Sequence, residues 1–380
     1  MSIARLEIAN VRNLQSVSLL PHPQLNLFVG QNGSGKTSVL EALHLLGLGR
    51  SFRSGRVRRL INDDASACTV FAAFATGGSA GIQRASNGES EFRLDGRSNI
   101  NLADIAHRLP LSLLDPASFA EMQEGSKPRR AQLDWGVFHV EHRFYPAWVR
   151  YQRALKQRNS LLRSGNISPL ESGVWDRELA ETATLLHAFR EAHLAVWQPV
   201  WDEVVAGFLP GFGLTLDYAP GWDTAQALDG LLAEAWGRDL ERGHTQIGPH
   251  RADLRIKLGT APADEVLSRG QLKLALCALK LSQITVLRQA GVQSLILIDD
   301  LASELDAGAR SRLLAYLAGT GAQTFITAIE AEGLLADLEA EGLLADLEAA
   351  GQGFRMFHVE HGTIREHGQD GPHPRPVTGN

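Results

Sequence analysis

Apolar and polar positions alternate from the start of the chain, predicting three short strands, IARLEIANV, QSVSLL and QLNLFVG, separated by turn residues. An amphipathic helix then runs to about Leu48. Residues 69–100 are again strand-like, in TVFAAFA, GIQRAS and SEFRLDG, broken by Gly, Ser and Asn. From about residue 119 the texture changes. All seven tryptophans fall between Trp135 and Trp236. The stretch 145–206 reads as long helices, with Tyr151, Leu155 and Leu162 at helical spacing and Arg150, Arg153 and Lys156 on other faces. Strand-like ADLRIKL, SLILID and QTFITA, alternating with helical QLKLALCALKLSQITVL and AGARSRLLAYLAG, then restore an α/β rhythm. The pattern divides the chain into an α/β half (1–118), a helical insertion (119–238), a returning α/β half (239–366) and a disordered tail (367–380).

Composition narrows the class. The chain has 380 residues, 44% hydrophobic and 21% charged, as an ordinary globular protein does. No run approaches the roughly 18 apolar residues of a membrane span, and MSIARLEIAN lacks the layout of a signal peptide. Cys68 and Cys277 stand far apart without metal spacing. A cytoplasmic protein is expected. The net charge of −6 argues against wholesale nucleic-acid coating, yet it is unevenly distributed. Arg50, Arg53, Arg56, Arg58 and Arg59 crowd RSFRSGRVRR with no acid. Residues 127–163 hold nine Lys or Arg, among them Arg129, Arg130, Arg150, Arg153 and Arg158, against Asp134 and Glu141. Residues 330–348 hold seven acids and no base.

The chemistry concentrates in GQNGSGKT, residues 30–37, between an apolar strand and a helix. Gly30, Gly33 and Gly35 let the backbone turn with its N–H groups inward, around a diphosphate that Gln31, Asn32 and Ser34 also flank. Lys36 would reach the β- and γ-phosphates, and the Thr37 hydroxyl would ligate Mg²⁺. A helix beginning there aims its positive end at the anion. LILIDD, residues 295–300, is an apolar strand ending in Asp299, placed to hold the Mg²⁺ shell, and Asp300, placed to orient an attacking water. Upstream, LSRGQ precedes a long apolar helix and makes Ser268 a candidate N-cap; downstream lies SELD, residues 303–306.

That order of motifs resembles the nucleotide-binding head of the ABC and SMC ATPases. The resemblance implies that Ser268 and Gly270 bind the γ-phosphate held by a second copy, so that two heads close on two ATP molecules. The fold class expected is therefore an α/β ABC/SMC-type P-loop ATPase head with an inserted, mainly helical domain and no long coiled coil. Two features depart from that class: no histidine stands near Ala328, and Asp300 occupies a position usually held by glutamate. Both predict slow turnover. Along the whole chain, NVRNL, GQNGSGKTSVLEAL, GRSFR, KPRRAQLDW, LKQRNSLL, VWDRELA, GHTQIGPHRADL, LSRGQLKLALCALKL, LILIDDLASELD and the terminal FHVEHGTI are similar to the bacterial RecF family of recombination mediators.

The resemblance implies a weak, DNA-linked ATPase: an ATP-gated homodimer at the nucleoid that binds double-stranded DNA near gaps. It would act with RecR and RecO, and indirectly with RecA. The two arginine-rich stretches are the candidate phosphate contacts, and no base-reading helix is evident. A transport or signalling ATPase docking a protein, and a scaffold without useful hydrolysis, are the alternatives. Two repeats remain. EGLLADLEA is duplicated in tandem at 332–349, and FHVEH occurs at 138–142 and 357–361, where its H-x-x-H spacing suits a helical metal site less well than i, i+4.

Overall fold

The computed structural model describes residues 2–165, 169–300, 305–329 and 353–367. The tandem EGLLADLEA segment, Ser303 and Glu304 of SELD, and residues 368–380 of the tail lie outside the described residues. The chain divides into two compact units, Met1–Pro116 with Gln293–Asn380, and Ala117–Val292.

In the first unit, β1 (Ile3–Val11) and β2 (Leu14–Leu19) form a hairpin whose turn puts Arg12 at φ 53. All five residues of β3 (Leu25–Val29) are buried, as a strand covered on both faces requires. Helix α1 (Lys36–Leu48) follows and ends on Gly49 in the left-handed conformation. Val39, Leu40, Ala42, Leu43, Leu45 and Leu46 of α1 are fully buried, so the helix reads as apolar nearly all round. Strands β4 (Ala67–Phe74), β5 (Ser79–Ala85) and β6 (Ser90–Leu94) extend the hairpin into an antiparallel sheet of order β2-β1-β4-β5-β6. The sequence pattern does not reveal the next two elements. α2 (Leu102–Arg108), started by an Asn101–Asp104 capping box, is only seven residues long, and β7 (Leu111–Leu114) is only four, too short to show a period.

The second unit runs through α3 (Pro116–Glu124), α4 (Ser126–Val140), α5 (Phe144–Ser164) and the 40-residue α6 (Pro169–Phe208). Next come β8 (Leu214–Ala219), α7 (Leu228–Glu234), α8 (Trp236–Arg242), β9 (Asp253–Leu258), β10 (Ala261–Pro262), α9 (Ala263–Val266) and α10 (Arg269–Gln289). This corrects the expected boundary at 238/239. Strand β9 pairs with β8 and β10 in a separate three-stranded sheet. Helix α10 packs in this unit, with Ser282 accepting a 2.8 Å hydrogen bond from the buried indole of Trp197 on α6. The unit therefore extends to Val292.

Back in the first unit, β11 (Leu295–Ile298), α11 (Ala307–Thr320), β12 (Gln323–Ala328), β13 (Phe354–Glu360) and β14 (Thr363–Glu366) complete a six-stranded sheet of order β14-β13-β3-β12-β11-β7. Its four pairings other than β13–β14 are all parallel, so β13, β3, β12, β11 and β7 run in one direction. Phe28 of β3 stacks on Phe357 of β13 at 4.9 Å, tying the P-loop strand to the last hairpin. The two FHVEH copies differ completely. One closes α4 with His139 buried; the other is strand, with Phe357 and Val359 inward and His358 exposed. Five residues do not decide their own structure when the packing around them differs.

Candidate nucleotide-binding site

Parallel register assembles the site. Leu114, Ile298 and Ile326 lie side by side across β7, β11 and β12, so the residue after each comes to the same carboxyl end of the sheet. Those residues are Asp115, Asp299 and Thr327. The crevice beyond the carboxyl ends of parallel strands is where such sheets bind ligands.

The glycine loop crosses this end. Gly30, Gly33 and Gly35 take φ values of 154, 80 and 122. A Cβ on Gly30 would stand 2.2 Å from the Val359 carbonyl oxygen, and one on Gly35 would stand 3.0 Å from Asn13 Nδ2. Both positions thus require glycine by contact as well as by φ. Asn13 braces the loop from behind: its amide donates to the Ser34 carbonyl at 2.9 Å, and its Oδ1 accepts from the Ser38 hydroxyl at 3.1 Å. The Gly362 amide donates to the same Ser34 carbonyl at 2.8 Å. Gln31, Asn32 and Gly33 remain exposed.

Lys36 donates from Nζ to the carbonyls of Gly30 at 2.6 Å and Gln31 at 3.0 Å, so its ammonium spans the loop. Burial lowers its pKa, while the charges of Asp300 and Asp299 oppose that shift. The Thr37 hydroxyl donates to Asp299 Oδ1 at 2.9 Å, and Thr327 donates to the same oxygen at 2.8 Å. Burial raises the Asp299 pKa; the two hydroxyls counter this, and the charges of Asp115 and Asp300 reinforce it. A cation beside Asp299 would relieve that burial cost, which is the chemistry of a divalent-ion site. Asp300 is exposed, at φ 51, with its amide donating to Thr327 Oγ1 at 3.1 Å. Among the described residues no side chain caps the start of α1, and the first N–H groups of a helix have no partner within it. The cradle, the ammonium, the helix end and the Thr37–Asp299 pair together fit a nucleoside triphosphate with Mg²⁺.

Two residues here escape sequence reading: Thr327, hidden in the ordinary strand QTFITA, and Asp115, which follows the unrecognised β7. Ala328, where a histidine was expected, is buried. Arg12 adds a brace, its guanidinium forking onto the fully buried Glu41 of α1 at 2.9 and 2.7 Å. Ser51 also donates to Glu41, and Arg53 lies 3.8 Å from it, which ties the arginine-rich loop to the P-loop helix.

In the second unit, Ser268 and Gln271 form a reciprocal capping box at the start of α10, at 3.3 and 2.9 Å. Ser268 and Gly270 are exposed, and a Cβ on Gly270 would meet open space. Asp306 caps α11 through the Ala309 amide at 2.8 Å.

The candidate DNA arginines separate into free and committed groups. Arg50, Arg53, Arg56, Arg58 and Arg59 are all exposed, although Arg58 donates to the Asp63 carbonyl at 2.9 Å. In the second unit Arg129 forks onto Asp253, at 2.8 Å for both bonds. Arg150 is held by Glu178 and Glu181 at 2.8 and 3.2 Å. Arg130 is half-buried, whereas Arg153 is exposed. Arg158 departs most from expectation: it is fully buried between Asp176 and Asp239, each at 2.6 Å, and belongs to the core.

The sheet and its glycine loop define a P-loop nucleotide-binding head of the ABC/SMC type. The family model for the RecF/RecN/SMC N-terminal domain matches residues 2–340. The DNA replication and repair protein RecF of Pseudomonas paraeruginosa is 45% identical over 371 residues, covering 96% of this chain and 98% of the relative. Its Stutzerimonas stutzeri counterpart is 44% identical over 377 residues, covering 98% and 99%. Among solved structures, RecF–ATPrS, a recombination mediator protein in the RecFOR pathway, matches with a TM-score of 0.82 at 24% identity, covering 96% of this chain and 97% of that one. An Smc head bound to the C-winged helix domain of ScpA matches more distantly, with a TM-score of 0.59 at 14% identity and the same coverage. The chain belongs to the RecF family.

Proposed function

We propose that this protein is an ATP-gated homodimeric clamp on double-stranded DNA, active in recombinational repair. The observation that carries the reading is the Thr37–Asp299 hydrogen bond of 2.9 Å beneath a glycine loop spanned by Lys36. Gly30 to Thr37 hold ATP, and Thr37 with Asp299 hold Mg²⁺, which supplies charge neutralisation to the phosphates. Asp300 orients the attacking water and takes its proton. The exposed start of α10 offers Ser268 and Gly270 to the nucleotide of a second copy. Closure therefore requires ATP, and hydrolysis releases it. With aspartate at the base position and Ala328 in place of a histidine, turnover is slow and acts as a timer.

The exposed Arg50, Arg53, Arg56, Arg59 and Arg153 contact DNA phosphates, giving recognition of backbone and shape. The names of the relatives, a DNA replication and repair protein and a recombination mediator in the RecFOR pathway, support a role in recombinational repair. Within that reading the protein acts with RecR and RecO at gapped DNA and prepares single strands for RecA. Among the described residues no helix is long and apolar enough to cross a membrane. In this reading the protein works at the cytoplasmic nucleoid.

The test is duplex-DNA binding at fixed salt with ATP, with ADP and without nucleotide, with mass read on the same sample. Tight binding by a dimer with ATP alone, abolished by Lys36→Met, is expected. Binding indifferent to nucleotide would overturn the clamp; no DNA binding, with capture by a membrane subunit, would indicate a transport ATPase.

A further inference from the structure

The second unit holds a cavity of about 290 Å³, lined by Lys127, Arg130, Trp148, Tyr151, Gln152 and Arg190 together with Asp134 and His250. Its charge is unbalanced. Arg190 is buried and forks onto Asp134 at 2.8 and 3.0 Å, with a further bond to the Pro249 carbonyl at 3.1 Å, so this pair is neutral and satisfied. Arg130 donates to the Ala252 carbonyl at 2.7 Å and forms no ion pair with a described residue. Lys127, exposed at the rim, likewise has no described acidic partner.

His250 adds no charge. Its Nε2 lies 3.0 Å from the Thr245 carbonyl and must donate, which leaves Nδ1 to accept from the Tyr151 hydroxyl at 2.7 Å. Burial pushes its pKa down to about 4. The cavity thus carries two cations in excess, one of them a half-buried guanidinium whose pKa is lowered by burial and by the like charge of Arg190. An anion would relieve both costs. Trp148 supplies an aromatic wall, its ring plane held by stacking on Tyr145 at 6.4 Å and 14°. A volume of about 290 Å³ lies at the small end of ligand sites, roughly 300–1,000 Å³, and suits one nucleotide but not two.

We propose that this cavity is a second nucleotide site, separate from the P-loop. It takes one nucleotide, a phosphate carried on a planar base, with the phosphate on Lys127 and Arg130 and the base against Trp148. The nucleotide is either free in solution or one unit of a single strand. The site does not depend on the clamp reading.

The experiment is calorimetric titration of the full chain carrying Lys36→Met, which silences the P-loop, with 5′-AMP at low salt. Saturable one-to-one binding is expected, weakened at least tenfold by Lys127→Ala, Arg130→Ala and Trp148→Ala. Lys127 is exposed, so Lys127→Ala tests the site without threatening the fold. Competition by a short oligo-dT identifies a strand nucleotide as the occupant; undiminished AMP binding identifies a free one. No saturable binding to the Lys36→Met chain, or binding unchanged by Lys127→Ala and Arg130→Ala, overturns the proposal. Failure of the clamp would appear elsewhere, as duplex binding indifferent to ATP.

Discussion

Thr327 gives its hydroxyl hydrogen to Asp299 Oδ1 at 2.8 Å, and its oxygen accepts the Asp300 amide at 3.1 Å. One side chain on β12 thereby fixes both carboxylate residues at the end of β11. A hydrogen bond to a charged acceptor contributes about 1.5–3 kcal/mol. Thr327→Val keeps the shape and removes the bond, so ATP hydrolysis should fall at least tenfold while the protein stays folded. Thr327→Ser should restore most of it. Steady-state hydrolysis over a Mg²⁺ titration checks this, and an unchanged rate for Thr327→Val would show that Asp299 needs no second donor.

The parts of the site that were legible in sequence are contiguous in sequence. A phosphate cradle needs its glycines, Lys36 and Thr37 at fixed offsets, so chemistry imposes a spelling. Asp299 was legible because it ends an apolar run. Thr327 and Asp115 were not, because what brings them in is the register of β12 and β7 against β11. Side-chain commitments were hidden for the same reason. Arg129 meets Asp253 across 124 positions and Arg158 meets Asp239 across 81, so a basic stretch cannot declare which of its charges are already spent.

Glycines within the two nucleotide motifs should respond differently. Gly30→Ala forces a Cβ to 2.2 Å from the Val359 carbonyl oxygen at φ 154. The overpacking and backbone strain together predict a loss of about 2–5 kcal/mol. Gly270→Ala adds a methyl into open space inside a helix, so stability should hold or rise by up to about 1 kcal/mol. If Gly270 meets a second copy's nucleotide, ATP-dependent dimers should nevertheless be lost. Thermal melts and mass measurement on both variants separate the effects; stable dimers from Gly270→Ala would remove it from the site.

Arg158 and Arg153 lie close in sequence and should report on different properties. Arg158 is fully buried between two aspartates, and removing one partner from a buried ionic group costs about 3–5 kcal/mol. Arg158→Ala should therefore melt the second unit early, whereas Arg153→Glu, at an exposed position, should leave stability unchanged. The reversal should instead weaken DNA binding and flatten its salt slope by roughly one unit. Denaturant melts and DNA titrations at several salt concentrations check both. Unchanged DNA affinity in Arg153→Glu would move the DNA contacts to the loop of Arg50 to Arg59.

Three histidines with lowered pKa values set an acid limit. Burial lowers His44, His193 and His250 from 6.5 to about 4. Between those values the unfolded chain binds protons that the folded chain refuses, so stability falls as pH drops through this window. Each histidine contributes up to about 3 kcal/mol of loss by pH 4. The depressed carboxylates Asp253 and Glu178 lose their stabilising charge only as pH falls through their own, lower folded values. The raised pKa of Asp299 acts in the opposite sense, favouring the folded state as pH falls. Urea melts at pH 7, 6, 5 and 4 should show the steepest loss between 6 and 4. His193 has only burial as the cause of its shift, and its Nε2 has no hydrogen-bond partner among the described residues. His193→Gln should therefore flatten the slope with the least structural cost. A melting midpoint constant from pH 7 to 4.5 would mean that these histidines accept protons without unfolding.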